Sequence, residues 1–598
     1  VRTHRFHRYF TLLLLLCQIL PFRALAEESA YAEKKIQAAG EQAKANADLY
    51  YDEAFDREGN LREAYREIYP QYAGMTKAQI EALRKQSVKD FKGDNALAPI
   101  ARILKESEYA EVKKGVEQRG RAIQLFLEDY YGEQRFLKDG LMPREVLDRI
   151  AERTGELGFR GRINPKEIAF PYGPDLMRGL DPSDPSKTRW YVFEDNIGYL
   201  GGLGDLIHGQ ETLLKNVPGY AAQVKGSADP EQFYKNQLSR YRSQLKDPKD
   251  KIILYSLPPY PDNEDARLKK IWRDLGVEIV TPNTKKKLKV EKDGVYLVSR
   301  DAIGRQRKER VGYMILNAEH HSLDYRHPVA KEKFLRFHAG EALEDKGIAA
   351  KDRRAIKKAL NAEPFDLAKL EAAVNKAYDM TGAKRGMLSG LLNAIEDGRL
   401  KSNYSPGIDI VSDKEFYTYV EDFIRYYLKE EPVLRNIPTE RLYIVDKSGK
   451  LAPNPKAFEK LEKDFANHVL KVVDGRGGSN IWVGPKISPA EQREAHAFAK
   501  ENFARMQVQL YRHPSVLAGD IVDLRVYSQF APASAVEKGI PYAETTPIPW
   551  SRGLSMDGNG KMNVSGDGHE VSVFVVKDKV ERDLSRADCR RLYRLVSP

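Results

Sequence analysis

The segment HVLKVVDGRGGSNIWVG, His468–Gly484, joins two β-branched apolar runs through Asp474, Gly475, Gly477 and Gly478. Glycines at such a tip let backbone N–H groups close on phosphate oxygens, and Lys471 inside the first run supplies a fixed positive charge. No Gly-Lys-Ser/Thr follows and no helix opens there, so it is not a Walker A loop. An ordinary hairpin with a pliant tip is the alternative. A second group is Asp175 followed by RWYVFEDN, Arg189–Asn196. Strand alternation puts Trp190, Val192, Glu194 and Asn196 on one face, with Asp175 placed to converge from a neighbouring strand. Oxygen ligands of this kind suit magnesium held against phosphates, and a polar strand end facing solvent is the bland reading. In Asp523-Leu524-Arg525 the acid and the Arg share a face, which suits either a clamp on an anionic intermediate or a structural salt bridge. Lys414, at the first turn of an expected helix, says little alone. Glu319-His320-His321 lacks metal-ligand spacing with a third partner, and neither HExxH nor GxSxG occurs.

These residues sit in a chain of 598, of which 41% are apolar and 31% charged. That is globular composition with room for three or four domain-sized units, and it excludes a collagen, a coiled-coil rod or a wholly disordered chain. Two cysteines, Cys17 and Cys589, exclude a disulfide framework and a Cys-built zinc or iron–sulfur site. The formal charge of +11 comes from 98 basic against 87 acidic residues. That imbalance permits a polyanion partner without demanding one, and the aromatics form no basic stripe that would signal nucleic acid.

Residues 1–26 combine Arg2, Arg5 and Arg8, the apolar run Tyr9–Phe22 and Ala24-Leu25-Ala26. The pattern is that of a cleaved signal peptide, which predicts an exported protein, periplasmic or secreted; an uncleaved anchor is the alternative. No other segment is apolar enough to span a bilayer. A helical region is expected over 27–153, and strands follow from Ile168 to Tyr199, within a metal-bearing unit at 154–245. A βαβ-like unit occupies 246–400: a strand at Ile252–Leu257, a helix at Arg267–Leu275 and a strand at Gly276–Val280, with a helical insertion near 328–380. Ser412 and Glu415 predict a capping box opening a helix to Leu428, with Phe416, Val420, Phe423, Ile424 and Tyr427 as its apolar stripe. Residues 401–576 form the last large unit, mostly β after Asn467, and a basic tail closes the chain at 577–598. The fold class is α/β (α+β).

Taken in order, YYDEAFDREGN (Tyr50–Asn60), the segment Gln118–Pro143, WYVFEDN, IILYSLPPY, the segment Gly407–Pro432, KVVDGRGG and DLRVY resemble the circularly permuted ATP-grasp family. These are relatives of the synthetase half of glutathionylspermidine synthetase. The resemblance implies a helical N-terminal region, a Rossmann-like pre-ATP-grasp unit and a nucleotide-grasping α+β unit. It also implies ATP and Mg2+: Asp175, Glu194 and Asn196 match the metal ligands, here ahead of the nucleotide lysines, as the permutation requires. Lys414 and Lys471 match those lysines, and Asp474, Gly475, Gly477 and Gly478 the lid. Gln509 falls at the adenine hinge, and Arg525 matches an Arg that contacts the transferred phosphate or the acyl group. Asn563 and Ser565 lie near a terminal Asn-Ser-Ser stretch. The implied reaction is ATP-dependent ligation of a carboxylate and an amine, small or peptide-like, through an acyl phosphate, with Arg525 and Lys471 as catalytic residues. Three departures stand out: IGYLGGLGD follows Asn196 where the family has Arg, Thr, Pro and Ser, NAEHHSL (Asn317–Leu323) replaces an Arg-rich, acidic strand end, and the terminal NVSGDGHEVSV lacks the family's usual Ser-Lys-Asp. These changes keep two alternatives open, an exported non-catalytic binding protein of the same fold and an ATP-using protein-modifying enzyme.

Overall fold

The computed structural model describes residues 31–578 apart from short internal stretches at 67, 74, 92–95, 218–219, 221–223, 225–226, 258–262, 363, 379, 381–383, 385, 447, 476–479 and 564–566. The leader expected at 1–26, Gly477, Gly478, Ser565 and all but the first two residues of the basic tail lie outside the described residues.

A 25-residue helix, Glu106–Tyr130, runs through the centre. Glu106 and Glu108 in its first turn sit favourably against the positive end of the helix dipole. Val112, Val116, Ile123, Phe126 and Leu127 recur at helical spacing and are buried. Gly115 and Gly120 let neighbouring side chains reach its backbone. A methyl group added at Gly115 would lie 2.4 Å from Leu434 Cγ, and one at Gly120 2.1 Å from Phe530 Cζ. The Phe126 ring lies 4.8 Å from Phe416 and 4.7 Å from Phe423, centroid to centroid.

Those two phenylalanines belong to the stripe expected on one helix over Ser412–Leu428, and here the structure differs. The segment is a 3-10 turn at Phe416–Tyr419, one α turn at Val420–Phe423 and a π turn at Ile424–Leu428. The Ser412–Glu415 capping box does not form. Asp413 accepts the Glu415 N–H at 2.9 Å, while the Glu415 carboxylate is drawn to Arg153 at 2.6 Å and to the Tyr443 hydroxyl. The stripe is buried all the same, from Phe416 through Ile424. Burial of the stripe, rather than regular helix hydrogen bonding, holds the segment.

Strand Asp175–Asp181 pairs antiparallel with Asp184–Glu194 around a turn of Asp, Pro and Ser. Late segments flank this hairpin: Leu524–Arg525 antiparallel on one side and Arg435–Asn436 parallel on the other. The βαβ-like unit is borne out in geometry. Lys251–Ser256 lies parallel to both Glu278–Val280 and Gln306–Asn317, with the helix Asn263–Asp274 between the first two in sequence. Its insertion is three helices, Pro328–Glu344, Ala350–Leu360 and Leu367–Ala377, around a small core of their own.

The Gly-rich hairpin is real: His468–Val472 pairs antiparallel with Ile481–Val483, then with Met506–Leu510, which pairs with Thr439–Arg441. The expectation of mostly β structure after Asn467 fails at Pro489–Asn502, a helix opened by a reciprocal Ser488–Glu491 cap with Pro489 at its first position. Its Ala495 and Ala499 pack with Leu470 and Val508 of this sheet. Near the C-terminal end, Val573–Val576 pairs parallel with Arg102–Lys105. Among the described residues no helix is long and apolar enough to cross a membrane.

Gly120→Ala separates two effects. Alanine is the better helix former by about 1 kcal/mol, which by itself would stabilise the central helix. The Phe530 ring in the way reverses the sign, and a loss of about 1–3 kcal/mol is expected in urea unfolding.

Candidate functional site

The strand Asp184–Glu194 delivers three acidic or amide side chains in a row, and the middle one is pinned. Arg119 of the central helix donates Nε and Nη2 to the two oxygens of Asp195, each at 2.7 Å. The Tyr172 hydroxyl donates to Asp195 at 2.5 Å. The Arg119 and Asp195 side chains are 0% and 1% exposed. Tyr417 lies 5.5 Å from the Arg119 guanidinium, and its hydroxyl donates to the Val192 carbonyl at 2.7 Å. With Asp195 turned into the core, Glu194 and Asn196 are released to the other face. Leu176 pairs with Val192 but Asp175 with Glu194, so Phe193 is the extra residue of a bulge that sets Glu194 beside Asp175. Asn196 Nδ2 is buried and has no hydrogen-bond partner among the described residues.

Opposite this strand end stand the two expected lysines. Lys414 Nζ lies 2.9 Å from Glu194 Oε1 and donates to the Gly475 carbonyl at 2.5 Å, and its backbone N–H bonds Val473. Lys414 therefore ties the Gly-rich hairpin to the acidic strand. Lys471 Nζ donates to Gln509 Oε1 at 2.7 Å, and Gln509 Nε2 donates to Thr439. The Phe193 ring centroid lies 5.7 Å from the same ammonium. Burial lowers Lys471 to about 8, and Lys414 pushes the same way, against the pull of Glu194 and Asp175. Burial would raise Glu194, but Lys414 and then Lys471 outweigh it, so the carboxylate is held below its ordinary range. Asp474 is paired with Arg505 on the hairpin's outer side.

Asp175 is near Glu194, as expected, and its oxygens are held by two arginines. Arg525 grips both its oxygens, Nε at 2.6 Å and Nη2 at 2.8 Å, and Arg552 Nη2 adds a third contact at 2.9 Å. Burial alone would lift this carboxyl; the two guanidiniums drive it below its ordinary value. Arg552 also binds Asp523, which burial keeps above the usual aspartate range. The pair Asp523 and Arg525 read from sequence is thus half of a four-member chain, and Arg525 faces Asp175 rather than Asp523. Arg552, from the strand Ser551–Ser555, carried no local signal that could have marked it.

The histidine cluster finds further partners in space. His320 has the partners that linear spacing hid: Glu156 and Asp409 offer ligand atoms within 4.8 Å of it and of each other. Lys333 Nζ already bridges those two carboxylates, at 2.6 Å each, so the cluster reads as a buried ion-pair lock between the insertion and the core. The Asn563 carbonyl accepts the Gly568 N–H.

Asp175→Asn leaves two buried guanidiniums facing each other without their shared carboxylate. A loss of about 3–5 kcal/mol is expected in urea unfolding at pH 7. A carboxyl lowered by folding contributes above its unfolded value, here 3.8, and stops contributing as pH falls through the folded value. The gap between the two proteins therefore narrows as pH is taken below that range.

Two family models match the chain: "Circularly permuted ATP-grasp type 2" over residues 101–325 and "A circularly permuted ATPgrasp" over residues 381–508. The chain is 24% identical over 507 residues to an uncharacterized protein of Mycobacterium leprae, covering 81% of this chain and 76% of that one. It is 25% identical to an uncharacterized protein of Synechocystis sp., covering 72% and 75%. A Frankia alni protein named "Putative glutamate--cysteine ligase 2-3" is 26% identical over 80% of this chain, which spans only 49% of that relative's length. Among solved structures, a glutathione synthetase like-effector of Globodera pallida in apo form aligns with a TM-score of 0.44 at 11% identity, over 83% of this chain and 96% of that one. The acidic strand precedes the lysine-bearing sheet in sequence and meets it in space, and the two matched models fall on these two parts in that order: the chain belongs to the circularly permuted ATP-grasp family.

Proposed function

We propose that the protein is an ATP-dependent carboxylate–amine ligase that forms an amide or peptide-like bond. The observation that carries this reading is the Lys414–Glu194–Lys471 group between the two sheets. Lys471 is a fully buried cation whose hydrogen bond, among the described residues, goes to a neutral amide. Such a group fits a polyanion, so the nucleotide phosphates match the donors present. Magnesium fits Glu194 and Asn196 but not Asp175, whose oxygens are taken by Arg525 and Arg552. The Frankia alni relative's name supports a carboxylate–amine substrate pair.

ATP, when bound, supplies the phosphoryl group that converts a carboxylate into an acyl donor. The chain's part is positioning and charge neutralisation. Lys414 and Lys471 neutralise phosphate oxygens from two directions, and Lys414 carries the Gly-rich hairpin with it through Gly475. Gln509 orients the Lys471 ammonium and is anchored by Thr439. Arg525 keeps Nη1 outside its Asp175 pair and can address the acyl or phosphoryl oxygens. A Gly-rich hairpin drawn over bound nucleotide would exclude water that hydrolyses an activated acyl group. The same proposal includes export, on the basic–apolar–small pattern of residues 1–26.

A second reading, a non-catalytic binding protein of the same fold, is favoured by one observation, the doubly bound state of Asp175. Calorimetry with ATP and magnesium separates the two. Saturable binding is expected, weakened about tenfold to a hundredfold by Lys471→Ala and by Glu194→Gln. Nucleotide phosphates would raise Lys471 above its free value of about 8, so binding near pH 8.5 takes up a proton. That uptake is read from the dependence of heat on buffer ionisation and is absent in Lys471→Ala. No binding at millimolar ATP retires the ligase reading and leaves the binding protein.

A further inference from the structure

A cavity of about 730 Å³, its open mouth included, lies between the C-terminal ends of the strands Lys251–Ser256 and Gln306–Asn317 and the segment that follows Asn196. Tyr199 and Leu200 line one side, and Leu254, Tyr241 and Trp272 another. Among the described lining residues there is no Lys, Arg, His, Asp or Glu. Most of its polar wall is already engaged: Asn403 accepts the Leu316 N–H, Gln529 donates to Asn403 and Phe530 carbonyls, and Ser528 bonds Thr545. Gln237 is different. It is 1% exposed, lines the cavity, and neither Oε1 nor Nε2 has a hydrogen-bond partner among the described residues.

A buried amide with both poles unpaired is costly, and the donor set it offers is specific. One donor and one acceptor side by side match a primary carboxamide, or the N–H and C=O of a single extended residue, in a two-bond ring. A carboxylate would leave Nε2 served but Oε1 facing an anion, and an ammonium would do the reverse. The aromatic and leucine walls suit a flat apolar body, and the described lining offers a charged group no ionisable partner.

The cavity also adjoins the site already described. A methyl group at Gly173 would touch Leu200, which lines the cavity, at 3.0 Å, and Arg525 at 3.4 Å. A molecule seated against Gln237 can therefore extend past Leu200 to the Arg525–Asp175 pair. We propose that this cavity binds the uncharged, amide-bearing part of a peptide-like substrate, with Gln237 as its specificity-determining residue. Calling the occupant a substrate rests on the ligase reading; the binding itself does not.

The test uses the full chain without ATP and two probes, N-acetyl-L-phenylalaninamide and N-acetyl-L-phenylalanine, followed by calorimetry and tryptophan emission. Saturable binding of the amide is expected, with the carboxylate about tenfold weaker or worse. Trp272→Phe removes the emission change but keeps the heat. Gln237→Leu weakens amide binding about tenfold and leaves the thermal midpoint unchanged or raised, because an unpaired amide has been replaced by an apolar group. A wild-type chain that does not bind the amide overturns the proposal, as does equal binding by Gln237→Leu or by the two probes. A lowered midpoint in Gln237→Leu assigns the residue a structural role instead. Amide binding that persists where ATP binding fails removes the ligase reading and leaves the pocket; ATP binding without amide binding does the opposite.

Discussion

The Arg119–Asp195 pair joins the longest helix to the one strand end from which the candidate site hangs, and both partners are out of contact with water. Removing two charges from water is expensive unless the geometry is close to ideal. Here two parallel N–H···O bonds and a tyrosine hydroxyl meet that requirement. The consequence is directional. A residue so held cannot rotate, and strand alternation then dictates where its neighbours point. Glu194 and Asn196 face the lysines because Asp195 faces the helix.

From that fixed edge the electrostatics of the site follow. Glu194 sits between two lysines, and one of them is tethered to the hairpin backbone through Gly475. Asp175 beside it is turned toward Arg525 and Arg552, so two carboxylates on adjacent strands serve different cations, and their partners outweigh the repulsion between them. Each acid is lowered by its own partners. This division of charge keeps like groups close together without a proton shared between them.

Much of this was legible in the residues, and the legible part has a common property: it is local. Lys471 within a β-branched run, glycines after it, and Glu194 and Asn196 flanking Asp195 are all short-range patterns, and Gln509 came with the family resemblance. The βαβ-like unit and the helical insertion were readable for the same reason. What escaped was long-range or context-dependent. Arg119 and Asp195 are 76 residues apart, and Asp175 and Arg525 are 350 apart. No spacing rule reaches those distances, so Arg552 and the Glu156–Asp409 partners of His320 stayed hidden. The capping-box pattern misled at Ser412, where Glu415 has stronger partners in Arg153 and Tyr443, whereas at Ser488 the Glu491 carboxylate returns to the Ser488 backbone N–H and the box forms.

The parallel pairing of Arg102–Lys105 with Val573–Val576 means that the first core strand waits for the last. Ser107 is hydrogen-bonded to Asp578, 471 positions later, and the site hairpin is likewise flanked by Leu524–Arg525. A chain closed in this way has few stable halfway states built from its N-terminal part alone, and contacts of such separation make folding slow. A copy that stops before these late segments therefore lacks the strand that pairs with Arg102–Lys105 and both arginines that hold Asp175.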